Sequence, residues 1–120
     1  MSKAGMSVLV FGVYLTLLGA ILLVIPNLLL TVFLLPVTGE VWIRVVGMLV
    51  LCLAFYYIQA ARRGLGDFFR WTVYGRCFVF VSLVLFVVLG LARPPLALFG
   101  VVDLLGAAWT TAALRQSRSA

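Results

Sequence analysis

The chain has no histidine, only three acidic residues (Glu40, Asp67 and Asp103) and only two cysteines (Cys52 and Cys77) among its 120 residues. The cysteines lie in separate apolar runs rather than in a CxxC pair, so neither a zinc site nor a dithiol redox centre can be assembled, and no metal or cofactor is expected. Three scattered acids supply no paired carboxylates, and general acid–base or nucleophilic chemistry needs positioned partners that this composition does not provide. A phosphate-binding glycine loop is missing. So is the pair of interrupted helices in corresponding halves that marks inverted-repeat transporters. No catalytic residue is expected, and the chain reads as non-enzymatic.

Hydrocarbon is what the sequence has in excess. Hydrophobic residues make up 66% of the chain and charged residues 10%, with a mean hydropathy of +1.29, which is outside the composition of soluble globular domains. A bilayer crossing takes roughly 20 apolar residues, so about four crossings fit with almost nothing left over. The expected fold is all-α: a transmembrane four-helix bundle forming one domain over residues 1–120, with spans at about 7–25, 41–61, 68–91 and 96–114. A short extra helix is expected after the first span, at about 28–35. Pro26 and Pro36 bound that segment because proline cannot donate to a helical ladder, and Asn27 is placed to cap it. Gly64, after Arg62 and Arg63, is a C-terminal stop. Asp67 is an N-cap for the third span, and Arg93-Pro94-Pro95 ends it. Lys3 followed by an apolar run from Ser7 to Ile25 imitates a secretory signal, but the run is too long and precedes further spans, so it is expected as an uncleaved first helix.

Nine Lys and Arg against three acids give a net charge of +6. The cations sit at the ends of apolar runs, without interleaved aromatics, so they read as topology signals and not as a nucleic-acid surface. Lys3, the loop with Arg62, Arg63 and Arg70, and the tail with Arg115 and Arg118 fall on one side. Arg93 and Arg44, offset by Glu40, fall on the other. Both termini are therefore expected on the cytoplasmic face.

Ionisable groups inside the spans are the informative ones, because each costs at least ~2.5 kcal/mol at the bilayer centre. Arg44, Arg76 and Asp103 qualify. Arg44 lies about one turn and Asp103 about two turns in from the same membrane surface, so a salt bridge between them is expected, with Glu40 as a second partner for Arg44. Asp103 shares a helix face with Gly100, Ala107 and Thr110, and Arg44 with Gly47, Leu51 and Ala54, which turns both charges into the bundle. Such a pair reads either as an interhelical staple or as the polar anchor of a ligand cavity. Arg76 is expected either to snorkel to the inner surface or to reach toward Asp103. Tyr14, Tyr56, Tyr57, Gln59 and Tyr74 are candidates to line a polar pocket, with an interfacial aromatic belt as the plainer reading, joined by Trp42 and Trp71. Cys52 and Cys77 read as small buried hydrophobes.

The runs Pro26-Asn-Leu-Leu-Leu, Val41-Trp-Ile-Arg44-Val-Val-Gly47, Phe55-Tyr-Tyr-Ile-Gln-Ala-Ala-Arg62 and Trp71-Thr-Val-Tyr-Gly-Arg76 resemble small bacterial four-helix membrane proteins of the DoxX-like type over nearly the whole chain. The resemblance implies a four-helix bundle in a bacterial inner membrane and carries over no catalytic residue. Two functions are then expected first: a bundle holding a small apolar or amphipathic ligand oriented by Arg44, Asp103 and Arg76, or an accessory subunit docked on a membrane-protein partner. A minimal transporter would require a homo-oligomer to enclose a path.

Overall fold

The computed structural model of the chain describes residues 1–119, with side chains through residue 116. It is a helical bundle of α1 (Lys3–Val24), α2 (Pro26–Val32), α3 (Trp42–Arg63), α4 (Gly66–Val88) and α5 (Ala97–Ser119), the last preceded by a 3₁₀ turn at Pro94–Leu96. The four long helices are each long and apolar enough to cross a membrane, so the molecule is built as a multi-pass membrane protein. Its large outward-facing side chains are hydrophobic all round, including Leu17, Leu49, Phe55, Phe78, Val88 and Leu105, as lipid contact demands.

Local chemistry sets the helix ends. Ser2 caps α1 by accepting a hydrogen bond from the Gly5 amide at 2.9 Å, which starts that helix one turn earlier than the expected Ser7. Pro26 ends α1 and becomes the first residue of α2, where its missing N–H costs nothing. α2 therefore lies two to three residues earlier than its sequence estimate. Asn27 does not cap it; the Asn27 side chain instead accepts from the Thr38 amide at 3.0 Å and pins the long loop after α2. Gly64 stops α3 in the left-handed conformation, φ 65°, as its position predicts. Asp67 is not the N-cap of α4. That helix begins at Gly66 without a side-chain cap, and Asp67 pairs one turn on with Arg70.

α1 is the hub. Its residues Ala4, Val8, Phe11, Leu15 and Leu22 are buried, a helical stripe that faces inward, and it packs against α3 on one side and α5 on the other. The α1–α3 seam is a backbone contact. A Cβ added at Gly47 would lie 2.6 Å from the Leu23 amide nitrogen and 2.9 Å from the Gly19 carbonyl oxygen, and one at Gly19 would lie 2.8 Å from Leu51. Small residues allow this approach, which in lipid must replace the hydrophobic effect as the force between helices. α4 packs along α5, and the two pairs are closed at the termini end by a cluster of Ala4, Val8, Tyr57, Ala61, Phe69 and Ala113. α3 and α4 touch little beyond their connecting turn, where Tyr57 and Phe68 meet edge to face at 5.6 Å.

Gly47→Ala drives a methyl into backbone atoms that have no room to yield, so it is expected to destabilise the bundle by about 1–3 kcal/mol. Gly39→Ala, which meets nothing within 4 Å, serves as the neutral control. Thermal unfolding of both variants in detergent micelles measures the difference.

Candidate functional site

The least expected side chain in the bundle is Arg76, half-way along α4 and only 2% exposed. In a helix the Cα–Cβ bond tilts toward the N-terminus, and Arg76 follows that direction but stays inside. Its Nε donates to the Thr72 carbonyl at 3.2 Å and its Nη2 to the Thr72 hydroxyl at 2.9 Å. Nη2 also donates to the Thr110 hydroxyl of α5 at 2.9 Å. The expectation that this side chain snorkels to the surface is thereby corrected: hydroxyls supplied by α4 and α5 solvate it before it reaches the membrane boundary.

The hydroxyl protons can be assigned by elimination. The Thr72 hydroxyl donates to the Phe69 carbonyl at 2.7 Å and the Ser7 hydroxyl to the Ala4 carbonyl at 2.7 Å. Each hydroxyl has one proton, so in the 2.8 Å contact between Ser7 and Thr110 Thr110 donates, and toward Arg76 both threonines accept. The result is a directed chain from guanidinium to Thr110 to Ser7 to a backbone carbonyl, crossing α4, α5 and α1. Two aromatic rings complete the shell, with the Arg76 Cζ 4.8 Å from the Phe11 ring centroid and 5.8 Å from that of Tyr57; desolvated cation–π contacts of this kind contribute up to about 2 kcal/mol.

One donor group is left over. Arg76 Nη1 is buried and has no hydrogen-bond partner. It lies against Gly106, where an added Cβ would come within 3.0 Å of it. Thr110, Gly106 and Asp103 stack one turn apart along the same face of α5, so Nη1 stands on the Asp103 side of the guanidinium. Asp103 interacts electrostatically with Arg76 but is not in an ion pair with it; among the described residues the one ion pair is Arg70–Asp67.

Beyond this polar floor, toward the end opposite the termini, a cavity of about 310 Å³ opens between the helix pairs. Leu18 and Leu22 of α1, Val46 and Val50 of α3, Leu83 of α4 and Phe99 of α5 are among its walls, and among the described residues Asp103 and Tyr14 are the polar side chains that line it. Both sit one turn from a residue that touches the guanidinium: Asp103 from Gly106, and Tyr14 from Phe11, whose ring is 5.4 Å from its own. Val50 and Leu53 of α3 and Val79 and Leu83 of α4 face this space rather than each other, which is why the α3–α4 seam is thin. A second cavity of about 200 Å³ shares Tyr14, Leu18, Leu29 and Phe99 with it and continues between α1, α2 and α5.

Of the sequence candidates, the structure brings Arg76, Asp103 and Tyr14 together and leaves the others elsewhere. Arg44 does not pair with Asp103. It is exposed at the end opposite the termini, where its Nη1 donates to the carbonyls of Leu23 and Val24 at 2.6 and 3.0 Å. Those carbonyls are the ones that Pro26 and the break after α1 leave short of donors, and a cation at a helix C-terminus also meets the favourable end of its dipole. Glu40 is exposed and makes no ion pair with Arg44; its amide donates to the Thr38 hydroxyl. Tyr56 and Tyr74 point outward, 57% and 74% exposed, Gln59 is half-buried outside the cavity wall, and Tyr57 is the tyrosine of α3 that turns inward. Trp42 and Trp71 are exposed, as a belt requires. Cys52 and Cys77 are free thiols, Cys52 exposed and so not buried as expected, Cys77 half-buried. Thr72 and Ser7 were not legible as site residues; the one available signal was the Thr72–Arg76 spacing of four, which places a hydroxyl under a guanidinium on one helix face.

Two substitutions in this shell are expected to act with opposite sign. Thr110→Val removes an acceptor from a buried cation and orphans none of the apolar shell, so it is expected to destabilise by about 1.5–3 kcal/mol. Arg76→Met removes the cation itself, and because both threonine hydroxyls spend their protons elsewhere it leaves no unpaired donor; it is expected to be neutral or stabilising. Unfolding of the two variants in micelles tests the pair.

Comparison with protein families, with curated proteins and with solved structures finds no match for this chain.

Proposed function

We propose that the chain is a non-enzymatic membrane protein that holds a small apolar or amphipathic molecule inside its bundle, with the molecule's polar end at Asp103 and Tyr14 and its apolar part in the 310 Å³ cavity. The observation that carries this reading is an apolar chamber whose polar lining, among the described residues, is one carboxyl, Asp103, and one phenol, Tyr14, with the buried Arg76 guanidinium behind them against Gly106 and Phe11. Ligand sites have this composition: mostly hydrocarbon, with a few convergent polar groups that fix orientation.

Lys3, Arg62, Arg63, Arg70 and Arg115 gather at the end that holds both termini, and Arg118 lies outside the described side chains. This distribution supports cytoplasmic termini. A bacterial inner membrane and membership among the DoxX-like proteins rest on the sequence resemblance and are proposed on that footing. Ligand entry is through the thin α3–α4 seam, directly from the bilayer.

Native mass spectrometry of gently purified protein is expected to show one small molecule per chain. Filling the chamber with Val50→Trp is expected to lower that occupancy at least tenfold while the protein stays folded by circular dichroism. A bare wild-type protein would favour an accessory subunit instead.

A further inference from the structure

Along the open seam of α4 and α5 we infer a second binding site, independent of the chamber. It seats one anionic glycerophospholipid from the leaflet on the termini side, with the phosphate between Arg70 and Arg115 and an acyl chain against Val73, Cys77 and Ala108.

The two helices are antiparallel neighbours, and two adjoining cavities lie between them. The first, about 320 Å³, is at the termini end and is lined by Arg70 and Tyr74 of α4 and by Thr111 and Arg115 of α5. Arg70 and Tyr74 are one turn apart, as are Thr111 and Arg115, so each pair stacks on one helix face with its arginine nearer the membrane surface. The second cavity, about 360 Å³, shares Val73, Thr111 and Arg115 with the first and continues toward mid-bundle past Cys77, Ala108 and Leu104. Both are bordered by exposed residues, including Arg70, Tyr74, Leu104 and Ala108. Neither shares a lining residue with the 310 Å³ chamber.

Charge, length and volume select the occupant. Two arginines line the head of the groove and, among the described residues, no acid does; Lys3, Arg62 and Arg63 lie at the same end. Asp67, beside it, is exposed and holds only Nη2 of Arg70, which leaves Nε and Nη1 to donate to another oxygen. The Thr111 hydroxyl spends its proton on the Ala107 carbonyl at 2.8 Å, so the donors lining the seat are guanidiniums and the Tyr74 phenol. Guanidinium forks match phosphate oxygens, and basic pockets between spanning helices at a membrane surface select anionic lipid heads. Below the arginines the lining becomes apolar and small-sided, and its length fits a lipid. Leu104 to Arg115 spans about 16 Å at 1.5 Å per residue, against about 15 Å for half of the hydrocarbon core. A soluble phosphate ester would leave this lower part empty. A second copy of this chain, packed here about a two-fold axis, would set arginine against arginine. At about 30 Å³ per water-sized unit, the 320 Å³ head cavity admits about ten non-hydrogen atoms, the size of a phosphoglycerol head. The acyl chains lie along an open groove with their outer side in the bilayer, so the groove need not enclose them.

The test uses delipidated, full-length protein in a mild detergent, titrated in native mass spectrometry with dioleoylphosphatidylglycerol, dioleoylphosphatidylcholine and soluble glycerol 1-phosphate. Wild type is expected to bind one phosphatidylglycerol per chain at least tenfold more tightly than either other probe. Arg70→Gln with Arg115→Gln is expected to abolish that preference. Arg62→Gln with Arg63→Gln, the same change of charge at the same end but outside the groove, keeps it. Ala108→Trp fills the acyl path and lowers phosphatidylglycerol binding at least tenfold with both arginines in place, whereas Val50→Trp fills the chamber and leaves it unchanged. The four arginines and Ala108 are exposed, so their replacement leaves the core intact. Equal uptake of the two lipids by wild type, or equal loss of preference in the two arginine pairs, would overturn the site. Undiminished binding by Ala108→Trp, or loss of it in Val50→Trp, would overturn the placing of the acyl chain. Glycerol phosphate bound as tightly as phosphatidylglycerol would make the occupant a soluble phosphate ester and overturn the lipid assignment.

Discussion

A guanidinium in the middle of an apolar bundle has to be satisfied by whatever the surrounding helices can bring within hydrogen-bond range, and here none of them brings a counter-ion. Arg76 is met by hydroxyls and aromatic faces, and the need to deliver them fixes the mutual height of three helices. Thr72 rides on the same helix as the arginine. Thr110 sets the register of α5 against α4, and Ser7 sets that of α1 against α5. Hydroxyl ladders of this type are modest one at a time in a membrane, but a directed chain in which every proton has one destination cannot slide by a residue without orphaning a donor. The same requirement keeps Gly106 small, because any side chain there would displace either the guanidinium or the Phe11 ring.

Packing and polarity divide the labour between the two ends of the bundle. Toward the termini the four long helices close on one another through alanines and large aromatics, and the polar shell lies at the base of that closed region. Toward the other end the helix pairs separate, and the chamber fills the space. Arg44 belongs to this second half in a structural role: it satisfies the last carbonyls of α1 and so allows the chain to break at Pro26 and lay α2 across the chamber's side, where Phe33 stacks on Phe99 of α5 at 4.7 Å.

The fold was largely legible because lipid leaves few options: four apolar runs of spanning length, separated by proline and glycine breaks, make four helices, and their ends moved only where a cap such as Ser2 or an uncapped start such as Gly66 decided the matter. The site was legible in part. Arg76, Asp103 and Tyr14 stand out as polar groups in hydrocarbon. The partner of Arg44 did not, since matching side chains by charge and depth overlooks backbone carbonyls, which no residue type advertises and which only a helix break exposes. Tyr56 and Tyr57 differ by one residue and 100° of helix rotation, which sequence periodicity cannot resolve in a helix that is apolar on nearly every face. Ser7 and Thr72 were hidden for a related reason, because hydroxyls inside helices ordinarily bond only to their own preceding turn.

The glycine contact between α1 and α3 gives the molecule an anisotropic compliance. Where Gly19 and Gly47 bring two backbones together, close-packed atoms transmit force without yielding, so these helices move as one body. α4 and α5, joined along their length, form another. A strain that widens the chamber therefore meets its least resistance at the sparse contact between α3 and α4.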